Sequence, residues 1–208
     1  MIYIVFICSL LFSSSNENLL LEMYAISDWE HLEISDKKNI YEAESKINNY
    51  KYIKIEKEVS RNVESILNNI QSIENWNQII SNKNIETKLL STNNDTLVVM
   101  QKISNAIPFT KNRIYIFKLF KVNSNRIDWY LTTDYNNFLE NYMDNNNYLL
   151  SVGAGSWQIK KMGNKNKLLY RLYLDDEVNL SSMIIQKLRI NYAVDIFNDM
   201  LTYQTGEK

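Results

Sequence analysis

Residues 180–203 read LSSMIIQKLRINYAVDIFNDMLTY, and the rest of the chain has to be arranged around them. Met183, Ile184, Ile190, Ala193, Val194, Phe197, Met200 and Leu201 recur at helical spacing, while Lys187, Asn191, Asp195 and Asn198 fall on the opposite side. The apolar face spans more than about 100°, wider than a coiled-coil seam. A long helix with such a face must lie across a large apolar surface. The only surface the preceding sequence can offer is a sheet.

Upstream of the helix the apolar period is mostly two. Strands are expected over 86–91, 96–104, 112–122, 126–133, 148–162 and 167–175. Most of the turns between them carry Asn or Gly: Asn93-Asn94-Asp95, Asn123-Ser124-Asn125 and Gly163-Asn164. This is an antiparallel meander of about six strands, with Pro108 in a connection. Ahead of it, 19–28 reads as a short helix, and 40–46 and 52–59 as strands. Val63, Ile66, Leu67 and Ile70 form one helical face, and Trp76, Ile79 and Ile80 a further helical turn.

Two strands are apolar on both sides. Tyr115, Phe117 and Leu119 alternate with Ile114, Ile116, Phe120 and Val122, and Leu168, Tyr170, Leu172 and Leu174 oppose Leu169 and Tyr173. Antiparallel strands usually show water one polar face. Two explanations stand: a curved sheet enclosing an internal space under the helix, or a thick core. The many tyrosines favour a partly polar pocket, because a buried phenol needs a hydrogen-bond partner.

Composition removes most chemistry. Of 208 residues, 23 are Lys or Arg and 24 Asp or Glu, so the net charge of -1 lacks the basic footprint of a nucleic-acid binder. One Cys allows neither an intrachain disulfide nor a thiolate zinc site. One His, His31, is the only imidazole available to a Ser-His-Asp site, and Glu30 and Glu33 are its neighbours in sequence; a solvated or structural role suits it better. Four glycines leave no P-loop and argue against a dinucleotide-binding loop. Asp175-Asp176-Glu177, just ahead of the long helix, suits the positive end of its dipole better than a cation site. No catalytic residue, metal site or cofactor is expected.

The amino terminus, MIYIVFICSLLF followed by Ser13-Ser14-Ser15-Asn16, is too short to span a bilayer, which takes about 20 residues. It resembles the apolar core and cleavage zone of a secretory signal, though no Lys or Arg precedes it. A buried first strand is the other reading. The division expected is residues 1–16 as a signal or apolar segment and 17–208 as one domain, in the periplasm or cell envelope, or secreted.

The order of elements carries a resemblance. Two strands, two short helices, a meander and a long final helix form the helix-grip arrangement, an α+β fold in which a curved antiparallel sheet wraps a C-terminal helix. The chain resembles the START domains of the START/Bet v 1-like (SRPBCC) superfamily over roughly residues 22–204. The resemblance rests on Val59-Ser60-Arg61-Asn62-Val63 through Asn75-Trp76, and on Ile103 through Pro108 to Asn112-Arg113. It rests also on Gly153-Ala154-Gly155-Ser156-Trp157, on 167–175 leading into the long helix, and on Trp29. Ile114 stands where the family commonly has Asp, and 176–179 lacks the usual Pro.

The resemblance implies non-catalytic binding, and transfer, of a lipid or other hydrophobic ligand in a cavity between sheet and helix. The candidates for its lining are Val99, Tyr115, Phe117, Trp129, Trp157, Tyr170, Leu172, Tyr192 and Ile196, with a plain core position as the alternative for each. Arg113 and Arg171 are the polar candidates for an anionic head group, with a strand-end salt bridge as the alternative for each. Residues 134–147 are expected as a loop, either at the cavity mouth or an ordinary surface loop. The implied partners are the ligand and, transiently, a membrane, with no nucleic acid and a monomeric chain. The alternatives are an interaction module with a closed core, acting through its surface, and a cyclase or hydrolase of the same superfamily.

Overall fold

The computed structural model describes residues 15–35, 38–45, 51–60, 63–104, 111–139, 142, 144–175 and 182–203. The apolar segment 1–12 with Cys8, Pro108, and Asp176 and Glu177 lie outside the described residues. The elements are α1 (Ser15–Ala25), β1 (Glu30–Ser35), β2 (Lys38–Glu44), β3 (Lys51–Val59), α2 (Val63–Gln71), a 3-10 turn (Ile73–Asn75) and α3 (Trp76–Ile79). There follow β4 (Ile85–Asn93), β5 (Thr96–Ile103), β6 (Asn112–Asn123), β7 (Arg126–Leu131), α4 (Asn136–Leu139), β8 (Asn147–Leu149), β9 (Gly153–Met162), β10 (Lys165–Leu174) and α5 (Ser182–Thr202). Among the described residues no helix is long and apolar enough to cross a membrane.

The sheet runs β1-β2-β3-β10-β9-β7-β6-β5-β4, with the short β8 alongside β6. All pairs are antiparallel except β6 with β8. The meander therefore has the expected order, and β10 closes it onto β3, with Leu172 opposite Ile53. Two of its hairpins use left-handed backbone where the sequence marks turns, at Asn94 (φ 50°) and Gly163 (φ 61°). Register shifts at Leu89/Ser91 and Lys121/Asn123 place an extra residue on β4 and β6, which bends a sheet and increases its twist. This is the helix-grip α+β fold.

The inner face carries the main core. Ile53, Ile55, Val99, Tyr115, Phe117, Leu119, Trp129, Trp157, Leu168 and Tyr170 pack against Ile66, Leu67 and Ile70 of α2, Trp76 and Ile79 of α3, and Ala193, Phe197, Met200 and Leu201 of α5. The two-sided strands have a different cause from the enclosed space that the sequence suggested: the outer face is covered as well. Leu19, Leu20 and Met23 of α1 bury Tyr52, Ala154 and Tyr173. Farther along, Leu139 with Phe138, Tyr135 and Tyr142 covers Val98, Met100, Ile114 and Ile116.

The 134–147 segment is thus no mouth loop. Its described residues Tyr135, Phe138, Leu139 and Tyr142 form a lid on the outer face, with Lys88 Nζ lying 5.3 Å from the Phe138 ring centre and donating to the Tyr142 hydroxyl at 3.2 Å. The sequence did not mark β1, a largely exposed edge strand, and the single strand expected over 148–162 is divided into the three-residue β8 and the longer β9.

Polar bonds fix α1 at both ends. The Asn16 amide donates to the carbonyls of Leu131 (2.9 Å) and Ser151 (2.8 Å) and accepts the Gly153 N–H at 3.0 Å. At the other end the Tyr24 hydroxyl donates to Asp128 Oδ1 at 3.0 Å and bonds Ser156 Oγ. Arg126 holds Asp128 from the far side and lies 3.8 Å from the Tyr24 ring centre. Asn16 is therefore a residue of the folded domain, not of the segment ahead of it, since two strand connections depend on its amide. Replacing Asn16 with Ala takes this partner from the buried Leu131 carbonyl and the buried Gly153 N–H, and from the Ser151 carbonyl at the surface. The variant is expected to lose about 1–3 kcal/mol in urea denaturation, and an unchanged midpoint would show that α1 is not held this way.

Candidate functional site

Between the inner face and α5 lies a chamber of about 120 Å³. Its sheet wall is built by alternation. Tyr115 and Phe117 of β6, Trp129 of β7, Trp157 of β9, and Tyr170, Leu172 and Leu174 of β10 point the same way because the period of a strand is two. Leu188, Arg189, Tyr192, Ala193 and Ile196 of α5 form the roof, and Trp76, Ile103 and Leu150 close the sides.

One close approach shapes the wall. A Cβ on Gly155 would stand 2.5 Å from the Trp129 ring, so the missing side chain is what lets the indole lie flat across β9. Beside it, Trp157 stacks on Tyr170 with centroids 3.8 Å apart and planes at 10°, and Phe197 of α5 follows at 6.0 Å and 16°.

The polar groups gather toward one end. The Tyr115 hydroxyl donates to Gln101 Oε1, and Gln101 Nε2 donates to Thr87 Oγ1 at 2.9 Å. Burial pushes both the Tyr115 and the Tyr170 phenols well above the ordinary tyrosine range; a hydrogen bond with Trp129 opposes the shift at Tyr170. The Tyr192 phenol is raised in the same direction, chiefly by burial. At neutral pH all three are protonated donors rather than bases. Arg113 and Lys51 also line this end, and Lys51 is paired with Glu42 at 2.9 Å.

Eight of the nine residues expected at the cavity lie around this chamber: Tyr115, Phe117, Trp129, Trp157, Tyr170, Leu172, Tyr192 and Ile196. Val99 does not. It faces inward opposite Phe117 but is fully buried in the solid part of the core. Arg113 reaches the chamber, whereas Arg171 is on the outer face, bonded to Gln158 at 3.1 Å and 5.2 Å from the Tyr24 ring centre. Its sequence position already excluded it, because it alternates with Tyr170 and Leu172. Residues not anticipated at the chamber include Gln101, a lone amide ending the apolar run Leu97-Val98-Val99-Met100, and Trp76, brought in by the helix pair. His31 is exposed on edge strand β1, its ring edge-on to Tyr41 at 5.2 Å and away from the chamber.

α5 is held unevenly. In its C-terminal half Ala193, Phe197, Met200 and Leu201 are buried. The Asn69 amide donates to the Met200 and Tyr203 carbonyls at 3.1 and 3.0 Å, and Asp199 accepts the Ser81 N–H at 2.8 Å. From Gln186 to Tyr192 no residue is fully buried. Polar ties there include a Gln186 bond to Glu42 and Arg189 lying 5.9 Å from the Tyr173 ring centre.

No protein-family model and no curated protein matches this sequence. Solved structures do resemble it. A STAR-related lipid transfer protein from Xanthomonas axonopodis superposes with a TM-score of 0.67 at 9% identity, over 84% of this chain and 97% of that one. Human StAR-related lipid transfer protein 5 gives 0.63 at 9% identity, over 89% and 90%. The Zhui aromatase/cyclase from Streptomyces gives 0.53 at 9% identity, over 72% and 90%. The chain has the START-like fold.

Substituting Gly155 tests the wall. Gly155→Val forces the Trp129 ring off β9 and into the chamber, and is expected to cost about 1–3 kcal/mol as an overpacked core does. It should also change the tryptophan emission of the folded protein. A variant with unchanged stability and emission would mean that the indole does not lie against Gly155.

Proposed function

We propose that the protein binds a lipid or other hydrophobic ligand, without catalysis, between the sheet and α5, and that it can release that ligand for transfer. The observation that carries this reading is the chamber itself: a wall of aromatic and aliphatic side chains roofed by a helix that is firmly packed at its C-terminal half and has no fully buried residue from Gln186 to Tyr192. The lipid-transfer proteins of the same fold support it. Each methylene buried there contributes about 0.8 kcal/mol, so affinity needs few polar contacts.

The volume of about 120 Å³ is below the roughly 300–1,000 Å³ of ordinary ligand pockets. In this reading the chamber widens as a chain enters. The Gln186–Tyr192 part of α5 swings outward about the Phe197 contact to admit a chain. Loading from a bilayer brings that end of the molecule into transient contact with a membrane. An envelope or extracellular setting fits this role and rests on the apolar segment 1–12.

The small volume is also the observation that favours a second reading, a closed-core module acting through its surface. An enzyme of the cyclase kind has less support. Among the described residues no Asp, Glu, His or Cys lines the chamber, and its tyrosines are held protonated.

Titration with long-chain amphiphiles, followed through the emission of the three wall tryptophans Trp76, Trp129 and Trp157, separates these readings. A saturable one-to-one change is expected. Ala193→Phe, which fills the roof, should weaken binding at least about ten-fold, while Leu21→Ser on the exposed side of α1 should leave it unchanged. The Ala193 variant itself should lose only about 1–3 kcal/mol of stability. If no chain binds and Ala193→Phe is silent, the closed-core reading holds instead.

A further inference from the structure

The chamber wall contains a buried cation with one unmade hydrogen bond and, among the described residues, no paired carboxylate. Arg113 is only 6% exposed. It shares the inward register of Tyr115 and Phe117 on β6, pairs with Ile103 of β5, and lines the chamber. Its Nη1 donates to the Lys111 carbonyl, and its guanidinium carbon lies 5.5 Å from the Tyr148 ring centre. Its Nε is buried with no hydrogen-bond partner.

Among the described residues no carboxylate forms an ion pair with Arg113. Taking a charge out of water costs several kcal/mol unless a counter-charge and hydrogen bonds replace the solvent, and more than about 90% of buried polar groups are bonded. On the outer face this fold does provide such a counter-charge, since Arg126 is paired with the buried Asp128. At Arg113 none is provided among the described residues, and the unmade bond of Nε is in the wall of the chamber.

The surroundings state what would complete it. Lys51 and Arg189 line the same chamber, and no acidic residue does among the described residues. One pair of strand positions farther in, roughly 7 Å along β6, Tyr115 and Gln101 bond to each other. Beyond them come Phe117, Trp129 and Trp157. The chamber therefore runs from a cationic end through a neutral polar pair to an apolar interior. With Nη1 bonded to Lys111, the unmade bond is on the edge of the guanidinium that carries Nε. Two parallel N–H groups on that edge match the two oxygens of a carboxylate. The small volume favours a compact planar head over a bulky one.

Resting on the ligand-binding reading above, we propose that Arg113 is the head-group site and that the ligand is a long-chain carboxylate. Its two oxygens take the Nε edge of Arg113, and its chain runs along Phe117, Trp129 and Trp157.

The test compares dodecanoate, dodecanol and dodecyl phosphate, three heads on one chain, by tryptophan emission at neutral pH. The unmutated protein should bind dodecanoate about ten- to a hundred-fold more tightly than dodecanol, as expected for hydrogen bonds to a charged group. Arg113→Gln should bring dodecanoate down to the affinity of dodecanol while leaving dodecanol unchanged, and Arg113→Lys should fall between. Equal binding of acid and alcohol by the unmutated protein would overturn the head-group assignment and leave the chamber reading standing. Tighter binding of dodecyl phosphate than of dodecanoate would replace the carboxylate with a phosphate head. Failure of all three to bind would remove the chamber reading itself. The acid-against-alcohol comparison needs no variant, so it does not depend on Arg113→Gln folding.

Discussion

Tyr170, Trp157 and Phe197 form a three-ring stack that joins the sheet to α5. Offset and stacked aromatic pairs add about 0.5–1.5 kcal/mol each beyond the area they bury, and here they are placed where the helix changes character. On the C-terminal side of Phe197 the helix is packed against α2 and bonded to Asn69 and Ser81. On the N-terminal side it roofs a chamber. In the proposed opening the stack is the pivot: it holds α5 on the sheet without requiring the whole helix to be packed. A core solid from end to end would leave no room for a ligand, and a helix without the pivot would have little to return it.

The outer face makes that arrangement affordable. Because α1 and the side chains of Tyr135, Phe138, Leu139 and Tyr142 cover the back of the strands, the sheet is supported from behind where the front is hollow. Trp129 lies over Gly155 on the front of the sheet, while Ala154 and Tyr173 are packed under α1 at the back. The polar ties of Asn16 and Tyr24 fix α1 in register, so the wall is stiff and compliance is left to the roof. Local opening is drawn from segments with few buried contacts, and residues 186–192 are such a segment.

Much of this was legible in the sequence. The period of 3.6 in 180–203 and the period of two in the six strands placed α5 on the meander, and Asn and Gly marked the hairpins. Alternation within β6, β9 and β10 was enough to bring Tyr115, Phe117, Trp157, Tyr170 and Leu172 to one chamber, and the same alternation, applied to Arg171, sends it outward. The rest depends on long-range contacts that carry no local period. Val99 faces the right way but meets the solid end of the core, which only the position of the helix pair decides. The 134–147 segment looked like a loop because its polar residues hide the four side chains that dock it. The lone Asn16 gave no sign that three backbone groups more than a hundred residues away would bond to it.

Amide hydrogen exchange along α5 bears on the pivot directly. The account predicts that amides of residues 186–192 exchange through a local opening, well below the free energy of global unfolding, and that a bound long-chain ligand slows them. Those of 197–202 and of β9 and β10 should exchange only with global unfolding. Uniform protection along α5, unchanged by ligand, would contradict a hinged roof and leave the chamber closed.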